Sequence, residues 1–343
     1  MPIPKRIHPV ALLTGAGFTR NFGAYLSVDF WAQTFNSPAV IANPTLQGLL
    51  KNSLYEFDFE TIYGVLRRDH AEHFQVYKVA LERIYQDIDK RVQEAQYQPS
   101  TPVNLNALYQ WLMRFAGKGN DAGFAFTLNQ DLFFERHGGT TFHPSLPGIP
   151  SLGQGADVRK VRVLRPVPLP KSITEQGVLN CLSTFNVIKL HGSCNWKSAI
   201  AGEDAMAIGF DKDQSLDREP LLKAYKELFK DVILSGEVKQ LWIVGYSFRD
   251  EHINQVIAQG IREKALALFV INTSPPGTFF LELFNTLPRR VVSTEPLLGQ
   301  VLHAGVCGYH PYELQAIFPT SQSSAVYDSI DRQLKMAEAH PNP

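Results

Sequence analysis

Four short segments carry side chains able to do chemistry together: residues 15–23 (GAGFTRNFG), 127–131 (TLNQD), 189–193 (KLHGS) and 245–254 (GYSFRDEHIN). A Gly15-Ala16-Gly17 turn ahead of a helix lets backbone N–H groups approach a phosphate, and the helix start adds partial positive charge. The Asn129 amide can orient a water without titrating, and the His191 imidazole can take a proton near neutral pH. Gly245 and Ser247 are candidates for phosphate or ribose contact, and Asn272 for a ribose hydroxyl. Each has a plainer reading. Glycine is the default residue of tight turns. Asn129 could cap the helix after its strand, Asp131 could be a solvated first-turn carboxylate, and His191 could be satisfied by backbone beneath a turn. Asp250, His252 and Asn254 could cap a helix, and Asn272 could start a turn before Pro275-Pro276.

These segments need strands to present them. An apolar run at 10–14 (VALLT) ending in Gly15 reads as a buried parallel strand feeding a glycine turn and a helix. Further short apolar runs fall at 124–128, 187–190, 241–244, 268–271 and 290–293. This predicts a Rossmann-like, doubly wound parallel sheet with ligands at the carboxyl ends of its strands. Between 57 and 97 the period changes: Tyr77, Leu81, Ile84, Ile88 and Val92 recur at steps of three and four, as on one face of a helix. Leu105, Leu108, Leu112 and Phe115 repeat the pattern after a break at Pro99 and Pro102. The expected organisation is a sheet domain over 1–44 and 117–318, a helical insertion over 45–116, and a polar tail over 319–343 with weak amphipathic character at 326–336. The stretch 143–170, rich in Pro and Gly, reads as a long loop. Tyr77, Tyr85, Trp111 and Phe115 read as core, and Arg20, Arg67 and Arg68 receive no role.

The chain has 343 residues, of which 44% are hydrophobic and 19% charged, the balance of a globular protein. Lys and Arg number 33, as do Asp and Glu, so no overall basic character favours direct nucleic-acid binding. Cys181, Cys194 and Cys307 include no C-x-x-C pair, which argues against a disulfide framework or a cysteine-built zinc site. No membrane-length apolar run occurs, and a cytoplasmic location is expected.

The G-x-G-x-x-G dinucleotide fingerprint is imperfect, since Arg20 stands where the third glycine would be, and this disfavours a dehydrogenase. The order Gly15-Ala16-Gly17-Phe18-Thr19, then Asn129-Gln130-Asp131, then His191-Gly192 resembles the sirtuin signature. The segment from Gly245 through Ser247 to Asp250 and His252, and the Ile271-Asn272 strand end, resemble sirtuin elements that hold NAD phosphates and adenosine ribose. The four-cysteine zinc module of deacylating sirtuins is missing, which puts acyl-lysine binding in doubt. With its helical insertion, GAGFTRNFG and 57–66 (FDFETIYGVL), the chain is similar to sirtuin-like, NAD-degrading effectors of bacterial anti-phage defence, closest to the subset acting with a HerA-type ATPase.

The resemblance implies NAD as substrate and an NAD glycohydrolase that releases nicotinamide and ADP-ribose without a metal, working as a homo-oligomer with a possible HerA-type ATPase partner. It implies Asn129, Asp131 and His191 as the catalytic set: Asn129 orients the water, His191 accepts a proton from that water or from a ribose hydroxyl, and Asp131 contacts the nicotinamide carboxamide. Gly15, Ala16, Gly17, Phe18, Thr19, Gly192, Gly245, Ser247 and Asn272 would line the NAD site. The competing functions are a non-catalytic NAD or ADP-ribose scaffold and a sirtuin-type deacylase or ADP-ribosyltransferase.

Overall fold

The computed structural model describes residues 6–52, 57–98, 101–138, 143–149, 166–170, 184–198, 200, 204–209, 217–286, 297–320 and 324–339. Its strands are β1 (Val10–Thr14), β2 (Gly123–Thr127), β3 (Val167–Pro168), β4 (Phe185–Lys189), β5 (Gly192–Lys197), β6 (Asp204–Met206), β7 (Gln240–Val244), β8 (Ala267–Ile271) and β9 (Val306–His310). Six of them form one sheet in the order β4-β2-β1-β7-β8-β9, every pairing parallel. A smaller sheet joins β3, β5 and β6.

Parallel strands covered on both faces must be apolar throughout, and β1, β2, β4 and β7 are buried at every position. Side chains alternate between faces: Val10 and Leu12 enter one core and Ala11 and Leu13 the other, as do Trp242 and Val244 against Leu241 and Ile243. The fold is therefore a sheet between two helical layers, the α/β arrangement expected from the strand runs.

One layer is built from α1 (Ala16–Arg20), α2 (Ser27–Phe35), α3 (Pro38–Ile41), α4 (Pro44–Leu50), α5 (Phe59–Asp69), α6 (Ala71–Glu94), α7 (Leu105–Leu112) and α8 (Phe133–His137). In α6, Tyr77, Leu81, Ile84, Ile88 and Val92 are all buried, the face predicted from their spacing. The periodic stretch from 57 is two helices, because His70 leaves the helical region at φ −138° and separates α5 from α6. Asp58 caps α5 by accepting from Thr61 N at 2.9 Å, and Asn104 caps α7 by accepting from Ala107 N at 3.2 Å. Helices of this layer already precede residue 45, and Phe30, Val40, Leu46, Tyr77 and Trp111 share one core with Val10, Leu12 and Trp242 of the sheet. The helices are thus a cover for one sheet face.

The other face carries α9 (Pro220–Leu234), α10 (Glu251–Lys264), α11 (Pro276–Phe284) and α12 (Leu298–Gly305). The chain closes with α13 (Leu314–Ile317) and α14 (Ala325–Ala339) on the first face. The amphipathic stretch expected in the polar tail lies within α14. Ile330 and Leu334 of α14 are fully buried, and Asp331 pairs with Arg114 at 2.6 Å. The sixth strand is β9, which the apolar runs did not mark; the expected strand at 290–293 and most of the 143–170 loop lie outside the described residues. Among the described residues no helix is long and apolar enough to cross a membrane.

Candidate active site

The carboxyl ends of the strands are level. Thr14 lies opposite both Thr127 and Val244, Thr127 opposite Lys189, and Val244 opposite Ile271, so the segments that follow rise from a single edge. Strand order reverses direction between β1 and β7, the switch point where open α/β sheets leave a ligand crevice.

At that switch point the two glycine turns touch. Gly17 N–H donates to Gly245 O at 2.9 Å, and Gly15 N–H to Val244 O at 2.9 Å. A Cβ on Gly17 would stand 2.8 Å from Gly245 Cα, and Gly245 itself has φ +64°, so backbone contact between the turns demands these glycines. Their packing role is therefore visible, and the Gly17 N–H is spent on it. Ala16 and Ser247 are exposed at the mouth. Phe18 is wholly buried, edge-on to Phe133 at 4.9 Å, and its N–H donates to Gly15 O at 2.9 Å, so the residue anchors the turn. Gly192 opens β5 opposite Met206.

The Thr14 hydroxyl donates to that of Thr127 at 2.8 Å, and Thr127 Oγ1 accepts from Asn129 N at 3.1 Å. The Asn129 amide then reaches across to the first turn, with Nδ2 donating to Gly15 O at 2.9 Å and to Thr19 Oγ1 at 3.1 Å. Both its hydrogens are committed, and Oδ1 is the atom left for a ligand or water. Asp131 is buried rather than solvated, and its Oδ1 accepts from Phe133 N at 3.0 Å at the start of α8. Burial raises its carboxyl above the usual range, opposed by the Lys189 ammonium, the Phe133 N–H and the Thr19 hydroxyl.

Gln130, between these two, ties the loop to the helical layer: its Oε1 accepts from Tyr85 OH of α6, and its Nε2 donates to Ala207 O at 3.1 Å. Lys189 was not singled out in the sequence. It is buried at the end of β4, donates to Asp131 O and pairs with Glu135 at 2.9 Å. Its signal was a lysine closing an otherwise buried strand, where a charge must find a partner.

His191 lies two residues past Lys189, as Asn129 lies two past Thr127, and those two strand residues are paired neighbours. Leu190 N–H donates to Thr127 O at 2.9 Å and Cys194 N–H to Gln130 O at 2.8 Å, so the two loops are stitched together. His191 is buried, its Nε2 3.7 Å from Asp250 Oδ1 and its ring 5.6 Å from that of His252. Asp250 occupies the N-cap position of α10, yet its side chain makes no capping hydrogen bond. Asn254 braces the turn instead, with Nδ2 donating to Phe248 O at 2.7 Å and Oδ1 accepting from Tyr246 OH at 2.9 Å. Asn272 Oδ1 accepts from Ser274 N at 2.9 Å, the turn-starting role weighed for it.

The edge thus presents an amide oxygen, a buried carboxylate, an imidazole beside a second carboxylate, and an exposed hydroxyl. Among the described residues no three His, Cys, Asp or Glu side chains group as a metal site. No curated protein matches the chain. Residues 179–285, which run from before β4 through His191, the Gly245 turn and Asn272 to the end of α11, match the family model described as the SIR2-like domain.

Proposed function

We propose that this protein is an NAD glycohydrolase that cleaves NAD to nicotinamide and ADP-ribose. The match to a SIR2-like domain supports NAD as the ligand. The observation that carries the reaction is the stitching of the Asn129–Asp131 loop to the first glycine turn and to the His191 loop at the sheet's switch point.

In this reading the ribose C1′–nitrogen bond breaks with its electron pair leaving on nicotinamide. The transition state is an oxocarbenium-like sugar, so the site's work is to hold the sugar and place the nucleophile. Asn129 Oδ1 accepts from the attacking water. As the water oxygen bonds to C1′, its proton passes to His191, a step for which a positioned base contributes about a hundred- to ten-thousand-fold. Asp131 Oδ1 already serves Phe133 N, so Oδ2 is the atom that accepts from the nicotinamide carboxamide. The exposed Ser247 hydroxyl serves the phosphates.

The resemblance of the sequence to sirtuin-like defence effectors supports a biological setting for this reading: depletion of NAD during phage infection, in a homo-oligomer acting with a HerA-type ATPase. Purified protein is incubated with NAD, alone and with such an ATPase, and the products are separated by chromatography. Nicotinamide and ADP-ribose in equal amounts are expected. Unchanged NAD under every condition contradicts the reading, and modification of a protein acceptor in step with NAD loss favours a transferase.

A further inference from the structure

Asp is among the best N-cap residues because its carboxylate can accept from the first free N–H groups of a helix. Asp250 has the position, makes no such bond, and instead stands with Oδ1 3.7 Å from His191 Nε2. The two side chains are 14% and 4% exposed, so little water lies around the pair. The backbone that aims Asp250 is braced. Its N–H donates to Tyr246 OH at 3.2 Å, Tyr246 and Asn254 are bonded at 2.9 Å, and the intervening Phe248 is held at φ +57°, a left-handed conformation that a bulky residue adopts only at a cost. A helix start that gives up its cap and bends its approach to bring a carboxylate against a buried imidazole has a site-directed purpose.

We propose that Asp250 is the positioning residue of the His191 base, a pairing that rests on the hydrolase reading. When water adds to C1′ and its proton reaches the imidazole, a positive charge appears in a site that solvent barely screens. The Asp250 carboxylate meets that charge and, before the proton arrives, holds one orientation and one tautomer of the ring. At 3.7 Å the contact is longer than a hydrogen bond, and such contacts tighten in the reacting complex. His252, whose ring faces His191 from the same helix, would add a like charge if protonated and cannot replace the carboxylate.

The test uses the full chain, with the ATPase if turnover needs it, and compares wild type with Asp250→Asn, Asp250→Glu, His191→Ala and the His191→Ala/Asp250→Asn pair. Asp250→Asn should lower kcat about a hundredfold while KM for NAD moves less than about threefold, and Asp250→Glu should recover most of the loss. In the His191→Ala background Asp250→Asn should have no further effect. An Asp250→Asn kcat within about twofold of wild type, or losses that multiply in the double variant, overturns the proposal. Imidazole nitrogen NMR gives a readout independent of turnover. One His191 tautomer should dominate in wild type and a mixture should appear in Asp250→Asn; identical spectra overturn the pairing, whereas absent NAD cleavage with a normal tautomer shift overturns only the hydrolase reading.

Discussion

Both amide hydrogens of Asn129 are spent on Gly15 and Thr19, so this side chain fixes the first turn and offers its oxygen to the crevice at once. Asn129→Ala should therefore cost stability as well as activity: about 1–3 kcal/mol for the buried groups left without donors, read as a lower urea midpoint. Lys189 and Glu135 form a buried pair beneath Asp131. Lys189→Met leaves the Glu135 charge uncompensated and should cost about 3–5 kcal/mol, and Lys189→Met/Glu135→Leu should recover much of it. Equal stability of the single and double variants would contradict this account of the pair. Order and residue type singled out Asn129, Asp131 and His191 in the sequence, and the structure brings their loops to one edge of the sheet. The partners of Lys189 and Asp250 could not be read there, since they depend on what stands opposite them across neighbouring loops. Phe18 was read with the glycine turn because it stands within it, yet an apolar ring beside a glycine turn is more cheaply placed under it.

At the scale of elements, α6 supports the loop that carries Asn129 and Asp131. Tyr85 binds Gln130, Asp89 forms a buried ion pair with Arg136, and Val92 O accepts from His137 Nε2 at 2.8 Å. Tyr85→Phe frees Gln130 between Asn129 and Asp131 and, on the proposed mechanism, should lower kcat by about tenfold to a hundredfold with a far smaller change in NAD affinity, because misplacement by an ångström costs that much. Unchanged kcat would remove α6 from the mechanism. His137 donates from Nε2 to Val92, accepts at Nδ1 from Tyr109 OH at 2.8 Å and stacks on Phe133 at 4.2 Å. Burial lowers its pKa from 6.5 to about 4. The folded protein keeps it neutral where the unfolded chain takes up a proton, so stability is full above about pH 6.5 and falls as pH drops towards about 4, by about 3 kcal/mol in all. Urea titrations at pH 7 and pH 4.5 should show less of this loss in His137→Phe than in wild type. The element pattern was readable wherever burial was continuous. β9 escaped it because its burial is partial, with Cys307 exposed and a glycine at 308, and an edge strand packed on one side carries no unbroken apolar run.

Across the whole molecule, the helices between β1 and β2 and the C-terminal α14 complete one face of the sheet. Trp111 of α7 meets Trp242 of β7 edge-on at 6.3 Å, and Gln333 of α14 accepts from Gln240 Nε2 through its carbonyl at 3.2 Å. Leu334→Ala should therefore behave as a core truncation, losing about 2–5 kcal/mol, where a dispensable tail would show less than about 0.5 kcal/mol. Periodicity found the helices but not their shared core, since a repeat of three and four shows which side of a helix is apolar and leaves its partner open. A doubly wound sheet places the loops after its strands at one edge without further instruction, and for that reason the grouping of the candidate loops was more legible than the layers around them. The account stands or falls on Asn129 and His191 serving one reacting ribose. The most direct measurement is the rate of nicotinamide release from NAD by wild type, Asn129→Ala and His191→Ala, each in the assembly in which wild type is active. Losses of about a hundredfold or more in both variants, with NAD still bound by His191→Ala, are predicted; nicotinamide release at the wild-type rate by either variant would contradict it.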